Sequence, residues 1–119
     1  MTHDVTPQSD SPLPEGFLDA FWQYDTALLA NDVAQLDELF EPSNHTLRAD
    51  ANAILEGYTA IGEFRAARPD RPTRRIARVW TRVLADDLVY STAEVRSGAG
   101  AAGLQTQLWR RTDRGWQIT

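Results

Sequence analysis

A chain of 119 residues with 42% apolar and 24% charged side chains is the size of one soluble globular domain and can bury a single core. Its net charge of −5 and isoelectric point near 4.9 exclude the basic footprint of a nucleic-acid binder, and no uncharged apolar run approaches the ~18 residues of a membrane span. Having no cysteine, it lacks thiol nucleophiles, disulfides and thiolate metal sites. With an N-terminus that does not read as a secretory signal, it is expected in the cytoplasm.

Residues 1–12 are rich in Pro, Ser, Thr and Asp without periodicity and are expected as a flexible tail, leaving 13–119 as one domain. From Pro14 to Ala30, Phe17, Phe21, Tyr24 and Leu28 recur at spacings of four, three and four, the apolar stripe of a helix packed on a core. Asn31 and Asp32 break that helix and cap a second one through Val33, Leu36, Leu39 and Phe40, which Pro42 ends. "HTLRA" then alternates faces, with His45, Leu47 and Ala49 on one side and Thr46 and Arg48 on the other, and "AILEG" supplies a second short strand. Helical spacing returns from Tyr58 to Arg68 through Ile61, Phe64 and Arg65, closed by Pro69 and Pro72. "TRRIARVWTRVLA", "DLVYSTAEVRS", "AGLQTQLWRRT" and "GWQIT" are β-branched and aromatic segments parted by tight turns, an antiparallel meander. Helices first and sheet afterwards predict an α+β fold, with three helices gathered on one face of a curved antiparallel sheet.

The charges are unevenly spread. Residues 1–64 hold one arginine, Arg48, against seven Asp and five Glu, whereas residues 65–119 hold eleven Arg against five acids. All twelve basic residues are arginine, whose planar fork suits bidentate recognition of carboxylates, although codon bias leaves the same mark. Arg48 either pairs with a structural acid, Asp25 being a plausible one, or holds a carboxylate ligand. Tyr24 either bonds a backbone carbonyl from the core or serves as an acid or base beside a guanidinium. By helix position, Arg68 suits the C-terminus, where positive charge opposes the macrodipole, and Arg65 suits a pocket. Gln105, Gln107 and Trp109 share one strand face, and glutamines among apolar neighbours line a polar cavity or face water. His45 has no second histidine outside the tail, so a metal site is not expected. Ser91 and Ser97 lack a paired base.

Several of these segments carry a resemblance. "FWQYDTALLANDVAQLDELF", "HTLRAD", "LEGYTAIGEFRAARP", "STAEVRSG" and "LQTQLWRRTDRGWQI" are similar in wording and spacing to the AtzH-like family, a branch of the nuclear transport factor 2-like (NTF2-like, or SnoaL-like) superfamily. The resemblance implies a cone-shaped domain with a pocket and a hydrolase, free of metal or other cofactor, that deaminates 1,3-dicarboxyurea or a related carboxylated amide. It also implies two functional residues, a tyrosine of the first helix and an arginine of the first strand, which fall on Tyr24 and Arg48. On this reading Arg65, Gln105 and Trp109 bind the small carboxylate substrate. The chain departs from the family pattern in several places: "RADANAI" replaces a more usual segment, the customary residues after "WQI" are not seen, and Leu104 stands where an arginine usually precedes the glutamine-rich strand. The alternative is a non-catalytic small-molecule-binding or assembly module of the same fold. A homodimer through the outer sheet face is expected, because Arg78, Trp80 and Arg82 alternate with Ala77, Val79 and Val83 and leave large side chains on both faces of one strand.

Overall fold

The structure is a computed structural model and describes residues 5–68 and 72–119. The helix stop expected at Pro69 and the first four residues of the expected tail lie outside the described residues. The first helix, α1 (Phe17–Ala30), is entered through Gly16 at φ 82° and left through Asn31, whose left-handed φ of 52° reverses the chain. That turn lets the Asp32 N–H reach the Ala27 carbonyl at 2.8 Å and starts α2 (Val33–Leu39) at once. Asp32 caps α2 by accepting the Gln35 N–H at 3.2 Å. Removing a cap of this kind costs ~1 kcal/mol, so Asp32→Ala should lower stability by about that amount in urea denaturation; an unchanged midpoint would mean that the bond contributes nothing.

Beyond α2 the chain forms an antiparallel hairpin of two three-residue strands, β2 (Leu47–Ala49) and β3 (Ile54–Glu56), followed by α3 (Tyr58–Ala67). The meander is β4 (Arg74–Ala85), β5 (Leu88–Ser97), β6 (Ala102–Thr112) and β7 (Gly115–Ile118), with neighbours antiparallel throughout. Inside the segment read from sequence as a tail, Gln8–Ser9 pairs in parallel with Trp80–Thr81 and adds an edge strand, β1, to this sheet. Thr81 donates its hydroxyl to the Gln8 carbonyl at 3.2 Å, and Asp10 accepts the Val83 N–H at 3.3 Å. A two-residue strand held by such bonds leaves no periodicity to read.

A bulge between Ile76 and Arg78 resets the alternation of β4, so that Ile76 and Val79 both face inward. They meet Phe17, Phe21, Ile61, Val89, Trp109 and Trp116 in one core. Phe17 stands edge-on to Trp109 and Trp116, with ring centroids 5.8 and 5.5 Å away, the geometry that aromatic quadrupoles favour. The three helices therefore cover the inner face of the sheet, and the polar cavity described next opens at one end of this layer.

Candidate functional site

A cavity of about 370 Å³ opens between α1, the hairpin strand β2, the end of α3 and strands β4 and β6. It falls in the size range of small-molecule sites. Tyr24, Arg48 and Gln105 line it together, joined by Arg68 and Arg74.

Tyr24 reaches it from the stripe of α1. Its ring is half-buried against Phe40 and edge-on to Trp109, with centroids 6.1 and 6.5 Å away. Among the described residues no group bonds its hydroxyl, so the backbone-carbonyl partner that a structural tyrosine would have is missing. Arg48 stands on β2, its guanidinium 4.4 Å from the centre of the Phe64 ring and 3.1 Å from Asp50 Oδ2. The stacking and the ion pair together limit how the fork can turn. The Asp50 carboxyl is held below its usual range first by the Asn52 N–H, then by Arg48 and by the Ala53 N–H. Because that pKa is depressed, the tether to Arg48 is complete at neutral pH and is lost only as pH falls through a value below the ordinary 3.8.

Asp25, the acid expected beside Arg48, belongs to Arg74 instead. Arg74 Nη2 lies 3.1 Å from Asp25 Oδ1, with side chains only 14% and 6% exposed, and donates to Gln105 Oε1 at 2.6 Å. The chain of bonds continues: Gln105 Nε2 donates to Gln107 Oε1 at 3.3 Å, and Trp109 Nε1 donates to the same oxygen at 3.1 Å. This series holds Gln105 with its carbonyl toward Arg74.

Two residues expected to bind substrate do not line the cavity. Arg65 is buried in an ion pair with Asp37 of α2 and lies over the Phe40 ring at 4.6 Å, so it ties α2 to α3. Trp109 is wholly buried in the core. The places anticipated for Arg65 and Arg68 are thus exchanged, because α2 supplies an acid to the first and the second projects from the end of α3 into the cavity. Burial holds the Arg68 guanidinium below its usual pKa range. Arg48, Arg65 and Arg74 push the same way, while Tyr24 acts in the opposite sense. Arg74 was missed although a signal existed, since the alternation that turns Ile76 inward turns Arg74 inward too. His45 is exposed, 3.9 Å from Glu56. Among the described residues no group of three or more His, Asp or Glu side chains could hold a metal ion.

Helices on one face of a curved meander, with a polar cavity at the end of the layer, define the NTF2-like fold. An NTF2-like superfamily protein from Salmonella enterica shares it at 17% identity, with 84% of this chain and 81% of that chain covered and a TM-score of 0.66. Nearer in sequence are a protein of unknown function from Pectobacterium atrosepticum (34% identity, 85% and 80% covered, TM-score 0.80) and a cystatin-like fold protein from Burkholderia xenovorans (28% identity, 85% and 81% covered, TM-score 0.78). The chain belongs to the AtzH-like family, whose model matches residues 15–119. No curated protein matches it significantly.

Proposed function

We propose that this protein is a hydrolase of a small carboxylated urea or related amide, with 1,3-dicarboxyurea as the model substrate, working through side chains alone. The observation that carries this reading is the meeting of a phenol, Tyr24, unbonded among the described residues, with the guanidinium groups of Arg48, Arg68 and Arg74 in one cavity. Arg48 holds a substrate carboxylate through its fork. Gln105, fixed by Arg74, orients the amide or the attacking water. Water adds to the urea carbonyl carbon, the C–N bond breaks, and the departing nitrogen takes the Tyr24 proton. The adding water returns a proton to Tyr24, and the carbamate released decomposes to ammonia and bicarbonate. The test is ammonia release from 1,3-dicarboxyurea, oxalurate and allophanate. Release from at least one supports the hydrolase.

The second reading, a non-catalytic binding or assembly module, draws its support from Leu104. This residue is 76% exposed and lines the cavity where the family pattern carries an arginine. A folded protein that releases ammonia from none of the three compounds would establish that reading instead.

The proposed working form is a cytoplasmic homodimer. Its support is a wider groove of about 620 Å³ on the outer sheet face, beside the exposed side chains Trp80, Leu84 and Tyr90. The outer groove is the better candidate for a partner and the inner cavity for a substrate, because the fixed charges converge in the inner one. Light scattering at micromolar concentration should give twice the chain mass, and Tyr90→Lys should reduce it to one; a monomeric wild type contradicts the dimer.

A further inference from the structure

Two guanidinium donors among the cavity-lining residues are left without acceptors. Arg68 Nε and Arg74 Nε are both buried and, among the described residues, unpartnered. A buried N–H left unbonded is costly, and native structures keep few of them. The two arginines are otherwise held very differently. Arg74 is fixed by Asp25 and Gln105, whereas among the described residues Arg68 has one long contact, its Nη2 lying 3.4 Å from Asn31 Oδ1.

The charges point the same way. Of the arginines lining this cavity, Arg74 is matched by Asp25 and Arg48 by Asp50, and among the described residues no carboxylate pairs with Arg68. A water molecule could accept from either Nε, yet it would leave the Arg68 charge uncompensated beside two other guanidinium groups. Among the described residues no acceptor satisfies both the donors and the charge, and an anionic ligand would do so. Burial and like charge already lower the Arg68 pKa, which agrees with a site whose compensating charge arrives with the ligand.

We propose that Arg68 and Arg74 together seat one carboxylate of the ligand, Arg74 as the fixed side of the seat and Arg68 as the residue that sets specificity for the anion. The seat is distinct from Arg48, and it deepens the hydrolase reading, on which it rests for the identity of the ligand. Leu104 fits this division: with no arginine at that position, the mouth of the cavity contributes no charge there and anion recognition falls to Arg68.

The test is calorimetric titration of the full chain with malonate, a compact dicarboxylate that cannot be hydrolysed, for wild type, Arg68→Gln and Arg68→Lys. Arg68→Gln should bind malonate about tenfold more weakly or worse, and Arg68→Lys, which keeps charge but not the fork, should recover only part of the loss. Without ligand, Arg68→Gln should melt no lower than wild type, because it removes a half-buried cation that sits beside the guanidinium groups of Arg48, Arg65 and Arg74. A merely structural arginine would give the reverse pattern, a lower melting temperature with malonate affinity unchanged. Unchanged affinity in Arg68→Gln, a markedly lower melting temperature, or a wild type that binds no malonate overturns the seat. Failure of the seat and failure of the hydrolase are separable. Arg68-dependent malonate binding without ammonia release keeps the seat and removes the hydrolase, whereas ammonia release with unchanged KM in Arg68→Gln does the opposite.

Discussion

Tyr24→Phe should lose ammonia release by at least ~10²-fold, the scale of a single general acid–base contribution, while melting at the wild-type temperature. The second half of that expectation comes from the structure. A buried hydroxyl with a protein partner would cost ~1–3 kcal/mol to remove, but among the described residues the Tyr24 hydroxyl has no partner, and its ring contacts with Phe40 and Trp109 survive in phenylalanine. Arg48→Lys is the companion variant. It retains one charge and loses the fork, the stacking on Phe64 and the geometry set by Asp50. Its effect should fall on KM, at ~1.5–3 kcal/mol for a charged hydrogen bond. If Tyr24→Phe melts early yet still turns over, the phenol is structural and the proposed chemistry is wrong. A kcat lost in Arg48→Lys with KM unchanged would instead move Arg48 from binding to the chemical step.

Asp25→Ala should be the most destabilising single change near the cavity, at ~3–5 kcal/mol, because it leaves Arg74 buried without its counter-charge. The pair is well enclosed, with side chains 6% and 14% exposed, so solvent does little to screen the loss. Arg74 also holds the Gln105 carbonyl, and the variant should lose activity beyond what its stability explains. Urea denaturation gives the first quantity and ammonia release well below the unfolding midpoint gives the second. A loss under ~1 kcal/mol would mean that Arg74 finds water or another acceptor, and that Asp25 is not what fixes it.

Most of the fold was legible because its signals are local. The apolar stripe from Phe17 to Leu28, the Asn31–Asp32 break and the β-branched runs of the meander each specify an element without help from distant residues. The edge strand at Gln8–Ser9 was not legible, since only its pairing with Trp80–Thr81 makes it a strand. The cavity divides along the same line. Tyr24, Arg48 and Gln105 were reached through helix spacing, strand alternation and family resemblance, and the structure brings them to one cavity. The partners of the charges were not reached. Which of Arg65 and Arg68 meets an acid depends on where α2 sets Asp37, and the transfer of Asp25 from Arg48 to Arg74 depends on how α1 lies across β4. Ion pairs 28 and 49 residues apart in sequence leave no local trace.

The most direct test of the account is a crystal structure of Tyr24→Phe soaked with 1,3-dicarboxyurea. The expected result is substrate in the cavity beneath the β2–β3 hairpin, one carboxylate on the fork of Arg48, the other on Arg68 and Arg74, and the urea carbonyl beside the position of the missing hydroxyl. Substrate ordered in the outer groove against Trp80 and Tyr90, with the inner cavity empty, would contradict it.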